Sequence, residues 1–95
     1  MDWPFEEVQN AAVITLRSIL NEGAPVLYVA RDAELGWSFM DGNEPTVDEA
    51  MVVAFSKVVA RDSTLLELSD LPRNWVAWRL TKAAPWLRCP ADEAG

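Results

Sequence analysis

The chain contains no histidine and a single cysteine, Cys89. The first absence removes the usual transition-metal ligand and the one side chain that titrates near neutral pH. The second forbids an internal disulfide. Cys89, alone beside Pro90 near the chain end, reads as an incidental thiol. The four glycines are scattered singly, which leaves no glycine-rich phosphate loop. No apolar run approaches the roughly 20 residues that cross a bilayer. The longest, from Ala50 to Ala60, is broken by Ser56 and Lys57. A secretory leader starts basic and turns apolar, whereas this chain opens Met1-Asp2-Trp3-Pro4 and continues through Glu6 and Glu7. The expected setting is the cytoplasm, with no cofactor and no metal.

Positive charge is also scarce. Fifteen acids against eight bases give a net charge of -7, which repels phosphate backbones and anionic lipid. Neither nucleic acid nor a membrane is an expected partner. The imbalance is concentrated in residues 1 to 70, with thirteen acids and four bases, while residues 71 to 95 carry four bases and two acids. An acidic body suits a cationic partner, and it also serves plain solubility. What the chain does have is apolar bulk: 51% hydrophobic and 24% charged residues, the composition of a globular protein. Its 95 residues suffice for one domain over 1–95, with 90–95 as a frayed tail.

The hydrophobic pattern predicts an α+β fold in the order α-β-β-α-(short α)-β. Phe5, Val8, Ala12, Leu16 and Ile19 recur at helical spacing, which predicts a first helix from Trp3 to Asn21, stopped by Gly23 and Pro25. Ile14 falls off that stripe, as a lone exposed residue or as part of a contact with another chain. Val26–Ala30 and Trp37–Met40 read as two strands joined by a loop-length Asp32–Gly36, hence an antiparallel hairpin. Thr46 and Glu49 match a capping box, opening a second helix that carries Val47, Ala50, Met51, Ala54, Phe55 and Val58 on one face. Its other side is also apolar, so this helix is either covered twice or forms a homodimer contact. A short helical turn over Ser63–Leu68, capped by Asp62 or Ser63, leads to a third strand, Trp75–Leu80. That strand places Val76, Trp78 and Leu80 on one face and Trp75, Ala77 and Arg79 on the other. Trp86 belongs to a tail folded back on the sheet. The whole is a three-stranded antiparallel sheet with two main helices packed on one face.

Arg31-Asp32, Gly36-Trp37-Ser38-Phe39-Met40 and Gly42-Asn43-Glu44 form the most distinctive local pattern, followed by Leu71-Pro72 and Trp75-Val76-Ala77-Trp78-Arg79. Together, over about residues 26 to 80, they resemble an uncharacterised bacterial family of small α+β domains that includes immunity proteins of polymorphic toxin systems. The resemblance implies a small α+β fold, no catalysis and, for the immunity members, a cognate toxin as partner.

The same residues support a reading from chemistry alone. Trp37, Phe39, Trp75 and Trp78 lie on strands that can be neighbours, with Arg31 and Arg79 beside them, and guanidinium groups over aromatic faces can stack on a ligand or grip a carboxylate. In the competing reading the tryptophans fill the core and the arginines pair with Asp41 or Glu44. A catalytic role for Asp41 and Glu44 is disfavoured, because their turn position predicts exposure to solvent. The candidate binding residues are therefore Arg31, Trp37, Asp41, Glu44, Trp75 and Arg79. The expected function is that of a non-enzymatic interaction protein with a basic protein partner, a toxin in the immunity case. Its alternatives are a small-molecule or peptide sensor using the Trp-rich sheet and a homodimer built through the second helix.

Overall fold

The computed structural model of the protein describes residues 3–42 and 47–93. They form strands β1 (Ala12–Leu16), β2 (Tyr28–Asp32), β3 (Gly36–Met40), β4 (Ala50–Ala54), β5 (Trp75–Trp78) and β6 (Leu87–Pro90). Two short helices follow β1 and β4 directly: α1 (Arg17–Glu22) and α2 (Phe55–Arg61). The strands make one mixed sheet in the order β4-β1-β3-β2-β5-β6, in which only β1 and β3 run parallel.

The class is α+β, but the expected three-stranded antiparallel sheet with two main helices is not what forms. Each expected long helix is instead a strand followed by a short helix. The cause lies in two five-residue runs. Val13-Ile14-Thr15 is a succession of β-branched residues, and Val52-Val53 is another. Such side chains lose rotamer freedom against a helical turn and fit a pleated surface well. The runs are also matched to each other: β1 and β4 pair antiparallel over their full length, from Ala12 opposite Ala54 to Leu16 opposite Ala50. Neither run could be told from a buried helix by periodicity alone. The capping threonine of the expected second helix, Thr46, lies outside the described residues.

Several local signals do act as read. Gly23 ends α1 in the left-handed region, φ 74°, its N–H returning to the Ser18 carbonyl. The β2–β3 hairpin forms two residues later than expected at its start, closed by Asp32, whose carboxylate accepts the Glu34 and Leu35 amides at 2.8 and 2.9 Å. Ser63–Leu68 is a 3-10 turn with Asp62 at its head accepting the Thr64 amide at 3.0 Å. The tail after Trp86 becomes β6, which pairs with β5.

Strand alternation sorts the sheet into two unlike faces. On the inner face Val13, Val29, Trp37, Phe39 and Ala77 meet Ile19 and Leu20 of α1, Phe55, Val58 and Val59 of α2, and Leu65, Leu68 and Leu71 beyond it. Phe5, from the irregular segment before β1, completes this core. The ladder registers assign the opposite face to Val52, Ile14, Ser38, Ala30, Val76 and Cys89 in one transverse row, and to Tyr28, Trp78 and Leu87 in the next. Among the described residues no α-helix packs on that face.

Candidate functional site in the open sheet face

The sequence-derived candidates divide between the two faces. Arg31 and Trp37 are opposite each other on β2 and β3, facing inward. Trp37 is 1% exposed and stacks parallel to Phe39. Arg31 lies over the Trp37 ring at 5.2 Å and donates to the Leu71 carbonyl at 2.7 Å and to Glu6 and Glu7 at 3.1 and 3.3 Å. Trp75, its neighbour on β5, is half-buried against the same core. Arg79 is buried as well. It pairs with Asp62 and donates to the carbonyls of Val26 and Lys82, each at 3.0 Å, and to the Thr64 hydroxyl at 2.9 Å, while Trp86 covers it at 4.1 Å. Glu44 lies outside the described residues.

Four of the six candidates are therefore structural. Arg31 pairs with Glu6 and Glu7 and Arg79 pairs with Asp62, acids from distant segments, and each guanidinium also ties down loop carbonyls. Burial pushes the Asp62 carboxyl up. The Thr64 hydroxyl and amide and the Arg79 guanidinium pull harder the other way and hold it below its ordinary value. Glu7 follows the same logic: burial raises its pKa, and the Trp37 indole, its own backbone amide and Arg31 together bring it below the usual carboxylate range. The Trp37 Nε1 and one Glu7 oxygen nevertheless fall short of a standard hydrogen bond.

Asp41 is different. It rims an open depression of about 610 Å³ where the outer face meets the ends of β2, β5 and β6. Tyr28 and Trp78, direct partners across β2 and β5, form its aromatic floor. Leu80, 86% exposed, and Cys89 add apolar surface, and Glu93 from the 3-10 turn Ala91–Glu93 adds a second carboxylate. Arg79 also lines this depression, while its guanidinium is engaged by Asp62, Thr64 and the Val26 and Lys82 carbonyls. Two aromatic faces with carboxylates at the rim attract a cation, either an ammonium or a guanidinium group. The volume lies within the range of ordinary ligand sites.

Tyr28, Trp78, Leu80, Cys89 and Glu93 are absent from the sequence-derived set. A signal for Tyr28 and Trp78 existed. Tyr28 and Trp78 alternate out of phase with the core residues Val29 and Ala77, so both had to face away from the core. Among the described residues no three His, Cys, Asp or Glu side chains come together as a metal site, and no helix is long and apolar enough to cross a membrane. Comparison with protein-family models, with curated proteins and with solved structures finds no match to this chain.

Proposed function

We propose that the chain is a non-enzymatic, cytoplasmic interaction protein that binds a cationic protein partner over the open face of its sheet. The observation that carries this reading is the depression floored by Tyr28 and Trp78 and rimmed by Asp41 and Glu93, set in a face on which, among the described residues, no α-helix packs. A basic side chain of the partner enters it, and the exposed Leu80 and Leu87 beside it supply apolar contact. The net charge of -7 steers such a partner in. In the immunity-type family that the hairpin motif resembles, that partner is a basic toxin, whose functional surface the bound chain covers.

A non-enzymatic role is supported by the state of the acids that pair with the buried arginines. Glu7 and Asp62 are engaged by arginines and lowered in pKa, the opposite of what a general acid requires. A ligand sensor built on the whole Trp-rich sheet loses Trp37 to the core and has Trp75 half-buried against it, which leaves Trp78 as the strand indole on the outer face.

Titration with a Lys- and Arg-rich peptide, followed by tryptophan fluorescence, tests the proposal. Saturable quenching is expected, weakened by added salt. Trp78→Ala should weaken binding roughly tenfold, the size of a partly desolvated cation–aromatic contact. The pair Asp41→Asn and Glu93→Gln should weaken it about three- to tenfold. A flat response, or one that none of these variants alters, would sink the proposal.

A further inference from the structure

The two edges of the sheet are unlike. The β6 edge carries Arg88, held by Asp70 at 2.8 Å, and Pro90, which has no N–H to offer. Charge and proline are the usual guards against strand addition. The β4 edge reads Ala50-Met51-Val52-Val53-Ala54, with no charge, no proline and no glycine.

The direction of its free groups follows from one hydrogen bond. Phe55 N–H donates to the Ala11 carbonyl at 2.9 Å, continuing the β1–β4 ladder in which Val13 opposes Val53 and Thr15 opposes Met51. Backbone groups alternate in an antiparallel pair. Residues 51, 53 and 55 therefore direct N–H and C=O toward β1, and Ala50, Val52 and Ala54 direct theirs outward. Among the described residues no strand meets them.

We propose that β4 pairs antiparallel with β4 of a second copy, about a twofold axis through Val52. The strand is complementary to itself: Ala50 faces Ala54 of the second copy, Val52 faces Val52, and each such pair exchanges two hydrogen bonds. The outward residues are small, and Val52, 71% exposed alone, gains apolar cover. Charge complementarity selects a second copy in this orientation. Asp48 and Glu49 precede the strand, and the exposed Lys57 and Arg61 follow it. Antiparallel pairing lays the acidic start of each copy along the basic end of the other, twice. This contact replaces the helix-to-helix homodimer expected from the sequence, since residues 50–54 are strand. It lies at the edge remote from the depression, and the twofold turns both open faces to the same side, so a dimer offers two depressions to one partner surface.

Sedimentation of the wild-type chain, Val52→Lys, Val52→Glu and their equimolar mixture tests the pairing. The wild type is expected at twice the chain mass of 10.6 kDa, dissociating on dilution. Each single variant places like charges face to face on the axis and should weaken the dimer roughly tenfold or more. The mixture should restore it as a heterodimer. A wild-type mass of 10.6 kDa at every concentration, or dimers that ignore both substitutions, would overturn the proposal. Should a variant fail to fold, hydrogen exchange on the wild type decides. Amide protection at Ala50, Val52 and Ala54 that rises with concentration supports the pairing, and protection independent of concentration refutes it.

Discussion

Asp62→Ala is expected to lower the unfolding free energy by about 3–5 kcal/mol, the cost of leaving one member of a buried ion pair uncompensated. Arg79 is 4% exposed, and its charge is tolerated only because carboxylate, hydroxyl, two carbonyls and the Trp86 face surround it. Removing Asp62 also strips the head of the Ser63–Leu68 turn, where it accepts both the amide and the hydroxyl of Thr64. Against a total stability of about 5–15 kcal/mol for a small domain, that loss is large. Urea unfolding followed by tryptophan emission measures it. A change under about 1 kcal/mol would show that the pair is solvated in solution. Replacing both partners, Asp62→Leu with Arg79→Met, should cost less than Asp62→Ala alone, because no charge is then stranded.

The same carboxylate sets an acid limit. Asp62 and Glu7 are both lowered from their ordinary values of 3.8 and 4.5. The unfolded chain therefore takes up these protons at a higher pH than the folded one does. The stability they contribute is fully present above those ordinary values and is lost as the pH falls below them, through the lower values of the fold. Asp62→Asn should flatten part of that acid slope while leaving the Glu7 contribution.

How far the sequence disclosed this arrangement depends on whether a signal was local. Gly23, the Asp32 turn and the Asp62 head of the 3-10 turn were legible, because each is settled by a side chain acting within a few residues. Strands β1 and β4 were not. Ala12–Leu16 and Ala50–Ala54 satisfy a helical stripe as well as a strand, and what decides between them is their pairing with each other across the 33 residues that separate Leu16 from Ala50. β6 was hidden by the features that suit it to an edge, Arg88 and Pro90. The candidate site was misplaced for a related reason. Arg31 beside Trp37 resembles recognition chemistry, yet Arg31 shares a face with Val29 and Trp37 shares one with Phe39, so alternation already assigned both to the interior. Asp41 was read as a turn acid, and it lies at the rim of the depression.

Phe55→Ala should be as damaging as the loss of Asp62, about 3–5 kcal/mol, through lost apolar contact and the cavity left behind. Phe55 is fully buried at the junction of β4 and α2, with the rings of Phe5, Trp3, Trp37 and Phe39 at 4.5, 5.2, 5.5 and 5.6 Å. Trp3 and Phe5 come from a segment without regular structure, held by these ring contacts and by the Trp3 indole bond to the Glu7 carbonyl. The substitution should therefore free residues 3 to 10 before the sheet opens, seen as faster amide exchange there and a red-shifted emission from Trp3 and Trp37. Phe55→Leu keeps most of the volume and should cost less than about 1.5 kcal/mol. Val52→Thr, on the same β4–α2 unit but on the outer face, should change the stability of the isolated chain by less than about 0.5 kcal/mol. Equal losses at Phe55 and Val52 would mean that the outer face is as covered as the inner one, and the binding surface inferred from it would not exist.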